Sequence, residues 1–242
     1  MKSTIFLQDK KATRMVAHRG LSGIETENTN AAFTAAGNRS YFGIETDVHV
    51  TRDGRYILIH DDSTARVTGG DALKVEETSY ETLRSLHLVD RDTGLVRRDL
   101  LLPDLADYFR ICRRYGKVAV LELKNAMDAE HIAGIAAVAE QEGVFRDVIF
   151  ISFCFDNLVK LRAARPAARA QFLTDKADDA TLDKLAEHKL DLDIYYMGLT
   201  EERVRACHSR GIEVNCWTVD NPEDATRLIG WGVDYITSNI LE

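Results

Sequence analysis

The chain has 242 residues, of which 45% are hydrophobic and 29% charged, enough apolar material for one large α/β domain with a sizeable core. Its 31 basic and 39 acidic side chains leave a net charge of −8, which argues against a broad nucleic-acid-binding face but allows a local pocket for one phosphate. Cys112, Cys154, Cys207 and Cys216 form no C-x-x-C pair, so reduced, mostly buried thiols and a cytoplasmic setting are expected. Residues 1–10 lack the apolar core of a signal peptide, and no apolar run approaches the ~18 residues of a membrane span.

Strands and helices alternate from Arg14 onward. Residues 14–18 read as a strand, Thr29 is placed to cap a helix running to Gly37, and residues 43–50 read as the second strand. Thr51-Arg52-Asp53-Gly54 is a tight turn, because Asp-Gly supplies the positive φ that a hairpin needs, and residues 55–60 return as a short strand. Residues 61–100 break the rhythm with a loop at Thr68-Gly69-Gly70-Asp71, a short helix at 79–86 opened by Ser79, and a charged, irregular stretch at 90–100. This excursion is expected to lie over the mouth of the fold, too short for a core of its own.

The alternation then resumes. Pro103 is expected in the first turn of a helix ending near Tyr115, followed by a strand at 118–123 and a helix from Asp128 that Gly143 stops. Further strands are expected at 148–152, 168–173, 192–196, 213–219 and 234–237, with helices at 156–164, 178–187, 200–209 and 222–230 between them. Leaving out the short strand at 55–60, eight strands separated by helices predict a parallel sheet, and that number in about 240 residues matches a closed (β/α)8 TIM-type barrel with a small insertion after the second strand. The competing architecture is an open doubly wound sheet. No G-x-G-x-x-G turn follows the first strand, which argues against a dinucleotide site.

Active groups in such folds gather at the carboxyl ends of the strands. In Gly43-Ile44-Glu45-Thr46-Asp47-Val48-His49-Val50, Glu45 and Asp47 stand at i and i+2, on one face of a strand otherwise fit for burial. Adjacent carboxylates desolvate badly unless a cation sits between them, and a divalent metal bound by hard oxygen ligands serves that need. The competing reading is a wet strand face. Glu122 and Lys124 repeat the i, i+2 spacing in Val118-Ala119-Val120-Leu121-Glu122-Leu123-Lys124, so Glu122 would complete an oxygen-rich site and Lys124 would meet a phosphoryl oxygen. His18 and His60 each end a strand, and two imidazoles on opposite sides of a scissile bond can act as base and acid. Arg19 suits bidentate phosphate binding. Glu27 is placed to orient Arg19 or His18, and Asn28 to bond a loop or a substrate. Trp217 would form an apolar wall for the organic part of a substrate or belong to the core, with Phe153 and Tyr195 as weaker candidates for that wall. His49 takes no role, and His87, His131, His188 and His208 read as surface residues.

His18-Arg19-Gly20, Glu27-Asn28-Thr29, Glu45-Thr46-Asp47-Val48, His60-Asp61, Glu122-Leu123-Lys124 and Cys216-Trp217-Thr218-Val219 stand in the order seen in the glycerophosphodiester phosphodiesterase family, which the chain resembles from Arg14 to Asn239. The resemblance implies a TIM-type barrel over residues 1–242 with an insertion at about 61–100. It implies one Ca²⁺ or Mg²⁺ on Glu45, Asp47 and Glu122, His18 and His60 as the acid–base pair, and Arg19 and Lys124 on the phosphate. The implied reaction converts a small-molecule glycerophosphodiester to glycerol 3-phosphate and an alcohol, with no nucleic-acid partner and no transmembrane segment. The alternatives are a related phosphodiesterase acting on lysophospholipids or sugar phosphodiesters, and a non-catalytic phosphate-binding barrel. A phosphosugar isomerase would call for a phosphate-binding glycine loop near the end of the chain, where Tyr235-Ile236-Thr237-Ser238-Asn239 has no glycine. The sequence departs from the family at Thr26, where proline is common, so the path of that loop is the open point.

Overall fold

The computed structural model describes residues 3–70 and 72–242; Met1 and Lys2, part of the stretch read for a leader, and Asp71 of the 68–71 loop lie outside them. In chain order come β1 (Arg14–Ala17), α1 (Asn30–Gly37) and β2 (Gly43–Val50), which turns back as the antiparallel β3 (Tyr56–Leu58). The excursion carries α2 (Ala65–Thr68), α3 (Tyr80–Arg84), β4 (Leu88–Val89) and β5 (Val96–Arg97). The alternation resumes with α4 (Leu105–Tyr115), β6 (Val118–Leu123), α5 (Ala129–Gln141), β7 (Val148–Ser152), α6 (Phe155–Ala164) and β8 (Arg169–Thr174). It ends with α7 (Asp179–His188), β9 (Asp191–Tyr195), α8 (Glu201–His208), β10 (Val214–Trp217), α9 (Pro222–Trp231) and β11 (Tyr235–Ser238).

Among the described residues eight strands (β1, β2 and β6 to β11) pair in parallel, each with the next, and β11 returns to β1. The sheet is therefore closed, a (β/α)8 barrel of the TIM type with an insertion after its second strand, and not an open doubly wound sheet. Two apolar layers hold it. Outward-facing residues such as Ile44, Val48 and Leu121 pack with Phe33, Tyr108 and Phe109 of the surrounding helices. Inward-facing Val16, Val120, Ile149, Ile151, Leu173 and Tyr235 fill the barrel axis. The cavity lies above that inner plug, at the carboxyl ends of the strands.

The helix starts follow local chemistry. Thr29, Ser79, Asp104, Asp178, Thr200 and Asn221 each cap a helix through a side-chain oxygen that accepts a backbone N–H. Pro103 does not lie in the first turn of α4, as expected, but precedes its cap, Asp104. Asp128 holds the cap position of α5 without a capping hydrogen bond from its side chain.

One expectation for the excursion fails and one holds. Part of the 90–100 stretch is ordered, because β5 pairs antiparallel with β4, Leu88 opposite Arg97 and Val89 opposite Val96. The insertion also has an apolar cluster, in which Val67, Val75, Leu83, Leu88 and Leu100 pack on Ile57 and Ile59. A segment too short to build a core alone has borrowed one face of β3, where residues i and i+2 point the same way. Thr26 explains the departure noted in the sequence. Its hydroxyl donates to Val89 O (3.1 Å) and accepts the Arg91 N–H (3.1 Å), tying the loop after β1 to the insertion hairpin through bonds that proline has no group to make.

Gly20 sets the exit from β1. Its φ is +74°, and a Cβ there would lie 2.7 Å from Ala32 C and Cβ, while its N–H donates to Glu45 O at 3.1 Å. Gly20→Ala combines backbone strain with overpacking and is expected to cost roughly 2–4 kcal/mol. Urea denaturation measures this, and an unshifted midpoint would contradict the tight approach.

Candidate active site

The pleat of β2 turns Glu45 and Asp47 into the barrel, and the β2–β6 register places Glu122 directly beside Asp47. Oxygens of the three carboxylates lie within 4.8 Å of one another, and the residues are only 3%, 1% and 7% exposed. This is not a solvated strand face. Among the described residues these three form the one cluster with the reach to hold a metal ion. Asp47 Oδ1 is buried and accepts no hydrogen bond, so the donor set fits a hard divalent cation: three carboxylates, one with an oxygen free of hydrogen bonds.

The surrounding groups answer the negative charge. Lys124 Nζ lies 2.9 Å from Glu122 Oε1 and 3.7 Å from Asp47 Oδ1, and Arg19 Nε lies 3.7 Å from Asp47 Oδ2. The Asn28 amide donates to Asp47 Oδ2 (2.8 Å) and is itself oriented by Thr46, whose hydroxyl donates to Asn28 Oδ1 (2.7 Å). The Arg19 backbone N–H donates to Glu45 Oε2 (2.7 Å). Arg19 and Asn28 hold φ of +52° and +50°, a conformation non-glycine residues take at some cost. Burial and the adjacent Asp47 charge raise Glu45 well above the usual carboxylate range and push Glu122 up to about 7. Burial works on Asp47 in the same direction, but Arg19 and Lys124 outweigh it and hold that carboxyl at about 2.

His18 and His60 line one cavity together with Arg19, Glu45 and Glu122. Each ring is pinned through Nδ1. His18 Nδ1 lies 2.8 Å from Asn239 Oδ1, and the Asn239 amide nitrogen donates to Asp220 Oδ2 (2.6 Å), which fixes the amide so that its oxygen faces the ring. His60 Nδ1 lies 2.8 Å from Asp61 Oδ1. Both bonds place the proton on Nδ1 and leave Nε2 as the basic nitrogen. Burial, then the Arg19 charge, lowers His18 to about 4, and burial lowers His60 as well, so both imidazoles are neutral at pH 7.

Glu27 contacts Arg19 rather than His18, accepting Arg19 Nη1 at 2.9 Å. Arg66, from α2 of the insertion, bridges Glu27 (2.9 Å) and Asp61 (2.7 Å), so the excursion reaches the second histidine through its partner. Trp217 lines the cavity and also packs on the inner plug; Phe153 meets it edge-on at 5.7 Å and Tyr195 at 5.5 Å. Asp220, Asn239 and Arg66 were not singled out from the sequence. The first two directly follow runs at the ends of β10 and β11, so the strand-end rule applied there would have found them; Arg66 carries no such signal.

The remaining histidines divide. His49 is fully buried, its ring 3.0 Å from Glu76 Oε1 and 3.4 Å from the His60 carbonyl. His87 and His208 are exposed, as expected. His131 and His188 are half-buried, packed edge-on against Tyr56 and Phe155, which corrects their reading as surface residues. The four cysteines are free thiols, three of them buried and Cys154 half-buried. No described helix is long and apolar enough to cross a membrane.

Similarity to known proteins covers the same ground. The sequence profile of the glycerophosphoryl diester phosphodiesterase family matches residues 18–241. The chain is 28% identical to a glycerophosphodiester phosphodiesterase of Caldanaerobacter subterraneus over 94% of each protein, and 30% identical to one of Bacillus altitudinis over 93% of each. Its fold superposes on an Oleispira antarctica phosphodiesterase in complex with the product sn-glycerol-3-phosphate at a TM-score of 0.84, with 25% identity over 93% of this chain and 92% of the other. With the profile spanning nearly its full length, the chain belongs to the glycerophosphoryl diester phosphodiesterase family, and it is a phosphoric diester hydrolase.

Proposed function

We propose that the protein hydrolyses glycerophosphodiesters to glycerol 3-phosphate and an alcohol, with His18 and His60 as the acid–base pair. One observation carries the reading: three buried carboxylates converge beside two cations, and two neutral imidazoles, each held by an acceptor at Nδ1, line the same cavity. In this reading residues 1–242 form one barrel domain. Glu45, Asp47 and Glu122 would hold one divalent ion, Ca²⁺ or Mg²⁺, whose charge would offset that of the phosphodiester oxygens. Arg19 and Lys124 bind the same oxygens and oppose the charge that gathers on them as the phosphorus is attacked. Glu27 and Asn28 hold Arg19 and Asp47 in place for that task. One histidine, neutral, takes the proton of the glycerol hydroxyl next to the ester on Nε2; the other, which takes up a proton at Nε2 when the anionic phosphodiester is bound beside it, passes that proton to the leaving alcohol, and the resulting cyclic phosphate is opened by water with the two roles exchanged. Trp217 walls the organic part of the substrate.

His18→Ala and His60→Ala should each lower turnover of a glycerophosphodiester by about 10²–10⁴-fold, read as released glycerol 3-phosphate, while calorimetric binding of the divalent ion is retained. Full turnover in either variant would refute the pair.

The carboxylate cluster makes a second prediction, read in chelator. Glu122 is raised from its unfolded value to about 7, so the protonated form is favoured in the folded state. Its contribution to stability is complete below the ordinary Glu range near pH 4.5 and is lost as pH climbs through about 7. The wild type should therefore lose stability relative to Glu122→Gln over that window, and saturating Ca²⁺ or Mg²⁺ should restore the wild type alone. Parallel melting curves for the two proteins across this range, or no gain with ion, would remove the metal assignment.

A further inference from the structure

Two polar atoms in the cavity are not used by the chemistry above. Asp193, on β9, is 1% exposed and lines the cavity on the wall across from β2, and its Oδ1 has no hydrogen-bond partner. The indole Nε1 of Trp217, on the adjacent β10, is likewise buried and unpartnered. The register pairs Asp193 with Asn215, so Trp217 stands two residues further toward the mouth on the neighbouring strand. The other polar groups at this level are already paired: the Asn215 amide donates to Gln171 Oε1 (3.3 Å), and the Thr237 hydroxyl donates to Asn215 Oδ1 (3.2 Å). Burial, with the nearby Glu122 charge adding to it, raises the Asp193 carboxyl well above its ordinary range. A purely structural residue here would be cheaper as an apolar or amide side chain.

We propose that Asp193 Oδ1 and Trp217 Nε1–H form a hydroxyl-binding site, occupied by the terminal hydroxyl of the substrate's glycerol group, and that this contact gives the enzyme its preference for glyceryl diesters. The inference rests on the reaction assigned above, in which the phosphate and the neighbouring hydroxyl are engaged by the cations and histidines, leaving the terminal hydroxyl without a contact. A hydroxyl donates one hydrogen bond and accepts another, so it satisfies an unpaired carboxylate oxygen and an unpaired indole N–H together. An ammonium group has no acceptor and would leave the indole unpaired. A site that hydrogen-bonds a substrate hydroxyl discriminates against the analogue without it, because its own buried groups are then left unsatisfied.

The test compares two ligands by calorimetry with divalent ion present: glycerol 3-phosphate, and 2-hydroxypropyl phosphate, which keeps the phosphate and its neighbouring hydroxyl but lacks the terminal one. The wild type should bind glycerol 3-phosphate about 10–100-fold more tightly. Asp193→Ala should reduce that ratio to within about threefold of one, and Asp193→Asn, which keeps an acceptor oxygen, should retain part of it. The melting temperature of Asp193→Ala should not fall, since the deleted carboxyl has an unpaired oxygen. Equal affinities in the wild type, or an undiminished ratio in Asp193→Ala, would overturn the proposal. Should Asp193→Ala fail to fold, that alone would mark Asp193 as structural and overturn it as well. Binding is read without turnover, so a protein that discriminates the two ligands but cleaves no glycerophosphodiester would sink the assigned reaction and not this site.

Discussion

The constraint that organises this molecule is the burial of three carboxylates side by side inside a protein barrel. Carboxylates within 4.8 Å of one another repel, and each has lost its water. The structure answers with Lys124 and the guanidinium of Arg19, with the Asn28 amide and with the backbone N–H of Arg19. Even so the compensation is partial: Glu45 and Glu122 titrate high while Asp47 alone is held low. A cluster left in this condition has the donor atoms to hold an additional positive charge.

Much of the neighbouring architecture follows from that need. Arg19 and Asn28 take left-handed backbone conformations to bring their groups to the acidic oxygens, and Gly20 is pressed so closely on α1 that a side chain has no room. The apolar residues Val16, Val120, Ile149 and Ile151 pack inside the barrel beneath the cluster, a low-dielectric setting that strengthens its charge interactions. The ring nitrogens depend on the same economy of acceptors. Asn239 faces His18 with its oxygen because Asp220 takes its amide protons, and Asp61 faces His60 while sharing Arg66 with Glu27. The insertion therefore reaches the site through Arg66 on a short helix.

The cluster and the unpaired atoms across from it describe one cavity with two ends. The charged end, formed by β1, β2 and β6, is suited to a phosphodiester. The far end, formed by β8, β9 and β10, offers Leu173, Trp217 and the free oxygen of Asp193, a setting of apolar surface with few polar contacts that orients an organic group. The division is chemical: cations gather on one wall, and two unpaired hydrogen-bonding atoms on the other.

Local patterns in the chain were sufficient for the alternation of eight strands with helices, for the helix-opening residues Thr29 and Ser79, and for the inward pairing of Glu45 with Asp47 and of Glu122 with Lys124. Each of these depends on spacing within one element, and periods of 2 and 3.6 are visible in any contiguous stretch. Closure of the sheet was expected from the number of units in this length of chain, but the hairpin of β4 and β5 and the apolar cluster shared by the insertion with β3 were not visible there, because they arise from pairings between segments distant in sequence. The same limit hid the links of His18 to Asp220 through Asn239, of Arg66 to Glu27 and Asp61, and the unpaired Oδ1 of Asp193. A side chain's spacing reports the face it occupies, but whether its polar atoms find partners is settled by which other strands arrive beside it.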